Sequence, residues 1–485
     1  LIVDALEITE NTVVDYDICI VGAGAAGITL AKEFLDKSSY RVCLLESGGL
    51  EPDEDTQSLS KGEDVGFPYL KHMAYCRSFG GNTNLWSSWC RPLDEIDFEY
   101  RSWVPHSGWP FKKQELIPYY HRAQKVCQLG HFDNYVPANL IKDIGDAKLQ
   151  LLPFNENLLV TTVWQITTPP LSFGKAYREE IKCAKNIYAY LHANVVDIET
   201  NDTGQSVTRV RVLCMNGKKF WVSSLFFILA MGGIENPRLL LASNKIQSAG
   251  LGNQHDIVGR FFMEHPHLHG SGSITISRQN HYPLLYAQES GKSYGVTVGL
   301  GISQELQKKE KLLNYTATLL PSPQPLTFPV LTMLEQAPDP NNRITLSREK
   351  DKLGVNRARL NLQLSLIHKR TILCSQQVID KELRRAGIGQ MKIDLCEDDQ
   401  SWPPQILGNG GPLTGGDHQM GTTRMHIDPK QGVVDENCRV HGISNLYVAG
   451  SSVFSTGGSA NPTLTIVALA IRLADHIKHI VKPRP

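Results

Sequence analysis

Early in the chain a short β-rich run, Asp17-Ile18-Cys19-Ile20-Val21, stops at Gly22-Ala23-Gly24-Ala25-Ala26-Gly27. This constrains the fold more than any other feature. A buried strand that turns through three spaced glycines into a helix, followed by a second strand at Arg41–Leu45, makes a βαβ unit. Such units require a parallel sheet with a right-handed crossover. Each glycine has its own mechanical reason. Gly22 permits the tight turn, Gly24 lets a pyrophosphate approach the backbone, and Gly27 lets helix and strand pack closely. Glu46 ends the second strand about twenty residues on, where a carboxylate accepts hydrogen bonds from ribose hydroxyls and repels a 2′-phosphate. The pattern predicts dinucleotide binding and fits both NAD and FAD, with the first helix running to about Lys37.

At 485 residues the chain is long enough for two joined domains. Lys plus Arg and Asp plus Glu each number 49, so the formal net charge is zero, and no field for nucleic acid or anionic lipid is expected. The most apolar stretch, Leu225 to Met231, is far shorter than a membrane span. No signal-peptide pattern opens the sequence, which begins at Leu1. Ten cysteines are scattered at 19, 43, 76, 90, 127, 183, 214, 374, 396 and 438 without any C-x-x-C. Zinc-ribbon and iron–sulfur spacings are therefore not visible, no metal site is expected, and a reducing cytoplasm fits this usage best.

Further along, Trp86 to Trp109 reads as an ordered covering segment. Leu191 to Thr200 and Val207 to Leu213 alternate as strands around an Asp202-Thr203-Gly204 turn. A strand at Leu225 to Ala230 meets Gly232-Gly233 and then a helix from near Glu235. From His267 to about Leu366 long β segments dominate, including a hairpin from Arg343–Leu346 to Arg359–Leu364. The last helix is apolar nearly all round, which marks it as buried. Asn461 can cap it, and Pro462 suits its first turn. Its N-terminus then points positive peptide ends into the interior, toward something negative.

Two C-terminal runs carry the candidate chemistry: Gly416-Asp417-His418-Gln419-Met420-Gly421-Thr422-Thr423-Arg424-Met425 and Gly457-Gly458-Ser459-Ala460-Asn461-Pro462-Thr463. A neutral imidazole suits removal of a hydroxyl proton near neutral pH, and an asparagine amide can hold the substrate oxygen or a flavin edge. With the glycine turns at Gly22–Gly27, Gly80-Gly81-Asn82-Thr83-Asn84-Leu85-Trp86 and Gly232-Gly233, these runs resemble the glucose–methanol–choline (GMC) oxidoreductases over nearly the whole chain. The likeness is most specific at His418–Met425 and Ala460–Thr465, where it points to pyranose oxidases and bacterial sugar or polyol dehydrogenases.

The resemblance implies an α/β fold: a Rossmann-like FAD-binding domain with a substrate domain on a mainly antiparallel β-sheet. It divides the chain into 15–266 (interrupted by a covering segment at about 51–175), a substrate domain at 267–408, and a C-terminal FAD-binding part at 409–485. It implies an FAD-dependent oxidoreductase that oxidises a CH–OH group of a sugar, glycoside or polyol. The proton would go to His418 and the hydride to flavin N5, with Asn461 beside the base. Contacts to FAD are implied at Gly22, Gly24, Ala25, Ala26, Gly27, Glu46 and Ser47, and at Gly80, Gly81, Asn84, Leu85 and Trp86. Further contacts are implied at Val195, Ala230, Gly232, Glu235, Gly450, Ser451, Asn461, Pro462 and Thr463. Leu85 stands where pyranose oxidases carry a flavin-linking histidine, so FAD is expected to be noncovalent. His265 and His267 read as structural or once removed from the chemistry, and His426 as a surface residue. The electron acceptor, oxygen, quinone or redox protein, stays open. So do a family lyase, an oxidoreductase of a non-sugar alcohol, an NAD-dependent dehydrogenase and a non-catalytic flavin-binding protein.

Overall fold

The computed structural model describes residues 1–35, 40–70, 75–145, 150–277, 294–395 and 413–480. Cys396 and the expected boundary at 408/409 lie outside them. The strand Val13–Val21 sits inside an eight-stranded sheet, paired in parallel with Val42–Leu45 on one side and Lys219–Leu229 on the other. Its last residues, Ile18 to Val21, are buried, as expected of a parallel strand covered on both faces. Ile187–Leu191 and Ile2–Asp4 extend the sheet beyond Val42–Leu45. Beyond Lys219–Leu229 come the antiparallel strands Val207–Leu213 and Asn194–Thr200, and Leu446–Val448 adds a parallel partner.

The helix Ala25–Phe34 follows the glycine turn and ends three residues before the expected Lys37. It packs against the last helix, Thr463–Ile480, whose Leu464, Val467, Ala468 and Ile471 are all buried. That helix starts at Thr463, and the Pro462 carbonyl accepts the Ile466 N–H at 2.9 Å. Asn461 is therefore not its side-chain cap; its amide is turned to Trp164 and His418. The expected strand 191–200 is also broken. His192 takes a left-handed φ of +57° and donates its N–H to Gly48 O. The helix expected near Glu235 begins at Gly232.

A second, seven-stranded sheet is antiparallel throughout, ordered Gly389–Ile393, Pro266–Ile276, Thr327–Leu334, Tyr315–Leu319, Tyr294–Ile302 and Leu159–Thr167, with Leu413–Gly415 paired to Pro266–Ile276. The long helix Leu366–Arg385 packs on it with Ile372, Ile379 and Leu383 in a shared core. The edge strand Leu159–Thr167 comes from the stretch read as a covering segment. The expected hairpin forms as Arg343–Lys350 and Asn356–Leu362, in a separate three-stranded sheet with Glu63–Gly66. The architecture is thus α/β with a mainly antiparallel second sheet. Among the described residues no helix is long and apolar enough to cross a membrane.

Candidate active site

A cavity of about 560 Å³ opens where Val21, Leu45 and Ala230 end or follow three neighbouring parallel strands. Ligands of open α/β sheets bind at such carboxyl ends. Its first wall is the glycine turn. Gly22 has φ +102°, and a Cβ on Gly27 would sit 1.8 Å from the Gly22 carbonyl oxygen, so the helix can start this close to the strand only with glycine there. A Cβ on Gly24 would meet nothing within 4 Å; that backbone faces the cavity.

Glu46 lines the same wall and accepts the N–H groups of Ala23 at 2.9 Å and Gly48 at 3.0 Å. Burial holds its carboxyl above the usual range, against the pull of those N–H groups and of the Arg77 charge. Arg77 and Arg238 both grip Glu235 at 2.9 Å, and Arg238 reaches on to Asp351 at 2.5 Å. These arginines lower the Glu235 carboxyl despite its burial. Glu235 therefore lines the cavity as an ion-paired group.

At the other end the segment Met263–Leu268 runs antiparallel to Leu413–Met420. Pro266 faces Gly415, His267 faces Thr414, and Met263 bridges Met420. This pairing brings residues about 150 positions apart into one cluster. Asp417 takes a left-handed φ of +58°, and the next residue's N–H is caught by the Glu264 carboxylate at 2.8 and 3.0 Å. Glu264 also accepts the N–H groups of His265 and Gly416 and the Tyr69 hydroxyl. The His418 ring then lies with Nδ1 2.9 Å from His265 Nδ1 and Nε2 3.4 Å from Asn461 Nδ2. Burial drives the His418 imidazole well below its ordinary pKa, with His265 and His267 adding to the effect. A neutral ring is a proton acceptor at neutral pH.

Most expected contacts lie on this cavity: Gly22, Gly24, Ala25, Ala26, Glu46, Ser47, Gly81, Leu85, Trp86, Val195, Ala230, Gly232, Glu235, Gly450, Ser451, His418, Asn461, Pro462 and Thr463. Gly27, Gly80 and Asn84 do not line it. Gly27 is packed under the turn, and Gly80 carries φ +108° with its N–H on Ala23 O. The Asn84 amide is spent on Ser78, Phe79 and Ser172. His426 is also off the cavity, accepting the Asp428 N–H at 2.9 Å.

His267 is closer to the cavity than the sequence suggested. Its ring forms part of the wall with Leu331 and Met333 of the second sheet, 5.9 Å from the His418 ring. Burial pushes it down to about 3. Nothing in the sequence pointed to the parts played by Trp164 and Glu264, whose partners lie far away along the chain. The Met-Glu-His-Pro-His run was the only available signal for the histidines.

The pattern of the family described as GMC oxidoreductase matches residues 338–470. The fructose dehydrogenase large subunit of Gluconobacter japonicus is 23% identical, covering 98% of this chain and 99% of that protein. Paromamine 6′-oxidase of Streptomyces fradiae is 30% identical, covering 95% of this chain and 90% of that one. Among solved structures, pyridoxine 4-oxidase from Mesorbium loti superposes with a TM-score of 0.61 at 18% identity, covering 96% of this chain and all of that one (100%).

Proposed function

The chain belongs to the GMC oxidoreductase family, and we propose that it oxidises a CH–OH group of a sugar, glycoside or polyol with His418 as the base. Membership makes it an FAD-dependent oxidoreductase acting on alcohols and replaces the NAD reading. The observation that carries the proposal is a single cavity with the glycine turn and Glu46 at one end and His418 beside Asn461 at the other.

The residues present suit FAD. Gly24 leaves its backbone open to the cavity, and the helix Ala25–Phe34 begins there, ready to hold a pyrophosphate. Glu46 offers carboxylate oxygens for ribose hydroxyls. Leu85 has no atom that could bond covalently to a flavin, which supports noncovalent binding. FAD, when bound, supplies the acceptor for the hydride leaving the carbinol carbon. The protein's share is to take the hydroxyl proton on His418, orient the oxygen through Asn461 and His418, and present the N-terminus of Thr463–Ile480 to negative charge.

The sugar, glycoside or polyol preference draws on relatives named for fructose and paromamine. A non-sugar alcohol and a family lyase are the competing readings. The relatives' names include both dehydrogenases and oxidases, so oxygen, a quinone and a redox protein stand as candidate acceptors. Nine described cysteines are free, in keeping with a reducing, cytoplasmic setting.

The test is an anaerobic panel of sugars, glycosides, polyols and hydrophobic alcohols mixed with the FAD-loaded enzyme and followed by bleaching of the flavin. A sugar, glycoside or polyol is expected to bleach it fastest; a hydrophobic alcohol in that place overturns the substrate class, and no bleaching by any alcohol overturns oxidation. His418→Ala is expected to slow reduction by about two to four orders of magnitude while FAD stays bound. Unchanged reduction in that variant overturns the base.

A further inference from the structure

We propose that Trp164, Asn461, His418 and His265 form a one-way chain of hydrogen bonds ending on the Gly457 carbonyl, which fixes His418 as the Nδ1–H tautomer with its Nε2 lone pair on the cavity side. The inference rests on His418 being the base, and it assigns Trp164 and His265 as positioning residues.

Both ends of the chain have only one possible polarity. An indole N–H can only donate. Trp164 Nε1 lies 3.0 Å from Asn461 Oδ1, which turns the amide so that its NH₂ group faces His418 Nε2 at 3.4 Å. A carbonyl can only accept. Gly457 O lies 3.2 Å from His265 Nε2, so that nitrogen carries the His265 proton. A neutral imidazole protonated at Nε2 has only a lone pair at Nδ1. The 2.9 Å contact between the two Nδ1 atoms then requires the proton on His418. Reasoning from the tryptophan end and from the carbonyl end gives the same answer.

The reversed assignment fails twice. It sets His418 Nε2–H against the Asn461 NH₂ group and the bare His265 Nε2 against the Gly457 oxygen. Both faults would lie in a buried site, where unmatched polar groups are costly. A doubly protonated pair is excluded by burial, which pushes His265 down to about 4. Both supporting residues are held inside the protein. Trp164 is fully buried on the strand Leu159–Thr167, and His265 is buried beside the Gly416–His418 turn.

The tautomer decides whether His418 can act. When a substrate hydroxyl replaces the long Asn461 contact, its O–H bond breaks and the proton forms an N–H bond at Nε2. FAD, when bound, would accept the hydride from the same carbon, so the alcohol is oxidised as the flavin is reduced. The resulting imidazolium keeps its Nδ1–H on the neutral His265 ring, which stabilises the new charge. With the other tautomer Nε2 already carries a proton and accepts nothing. In another histidine-dependent system the wrong tautomer alone costs about four orders of magnitude.

The chain is tested by ¹⁵N-histidine labelling of the FAD-loaded enzyme, with His418 assigned by subtraction against His418→Gln. The expected spectrum shows Nδ1 protonated and Nε2 bare at neutral pH; a protonated Nε2 with bare Nδ1 overturns the proposal. His265→Leu is expected to mix the tautomers and slow flavin reduction about ten- to a thousandfold. His265→Asn, whose amide oxygen can stand where Nδ1 stood, is expected to recover most of that loss. Trp164→Phe keeps an aromatic side chain but removes the N–H donor, and is expected to slow reduction about tenfold or less, with little change in KM. An Asn variant as slow as the Leu variant overturns the positioning role, and the wild-type spectrum decides the tautomer even if His265→Leu fails to fold. If instead the spectrum shows the expected tautomer but His418→Ala still reduces flavin normally, the base reading falls and the chain stands.

Discussion

Glu264 organises the site although it is not among the catalytic candidates. Its buried carboxylate gathers the N–H groups of His265, Gly416 and His418 and the Tyr69 hydroxyl. Burial and the neighbouring Asp417 push it up to about 7, while the hydrogen bonds pull it down. Glu264→Gln turns an NH₂ group toward donors and is expected to destabilise the holoenzyme by about 2–3 kcal/mol, read as a lowered Tm. An unchanged Tm would show that the turn holds without the carboxylate. His418 and Asn461 were legible because each sits in a distinctive run. Glu264, Trp164 and the intimacy of His265 were not, because a single sequence does not reveal which of its distant segments pair.

Among the elements, the glycine turn separates two jobs within one motif. Gly27 is needed for packing, since its Cβ would strike Gly22 O, whereas Gly24 opens on the cavity. Gly27→Ala is expected to lower the Tm by several degrees, because the helix must withdraw from the strand. Gly24→Ala is expected to leave circular dichroism unchanged and loosen FAD, measured as flavin lost on ultrafiltration. Equal behaviour of the two variants would refute the division. The βαβ unit was readable because periodicity and glycines agreed. The break at His192 was not, since Leu191-His192-Ala193-Asn194 contains neither glycine nor proline. The start of the last helix was misplaced for another reason: a capping residue was drawn away to tertiary partners.

For the molecule as a whole, buried histidines set the response to acid. His265, His267 and His368 are pushed down to about 4, 3 and 4, and His418 well below its normal range, all chiefly by burial. A base whose folded pKa is depressed gives stability that is complete above its unfolded value, about 6.5, and lost as pH falls toward the folded value. Glu264 and Asp97, both raised to about 7, act oppositely, adding stability at acid pH that is lost as pH rises through 7. Four depressed histidines outweigh these two carboxyls and Glu46, also raised by burial, so the Tm of the holoenzyme is expected to fall between pH 6.5 and 4.5. His368 lies away from the cavity, and its Nε2 accepts the Ala337 N–H at 3.2 Å. His368→Gln is expected to flatten the decline; an equally steep decline would place its origin elsewhere. The α/β class was visible from the first strand onward. The route of Leu159–Thr167 into the second sheet was not, because its partner Tyr294–Ile302 lies over a hundred residues later.

Arg238 has a consequence for how such a molecule can change over generations. From the helix Gly232–Ala242 it clasps the hairpin tip through Asp351 and the Val355 and Asn356 carbonyls. The tip in turn supplies Asp351, Leu353 and Val355 to the cavity lining. A single residue gained or lost in that tip would reshape the chamber while every motif stayed intact, so close homologues could diverge in what they hold without any mark in their signatures.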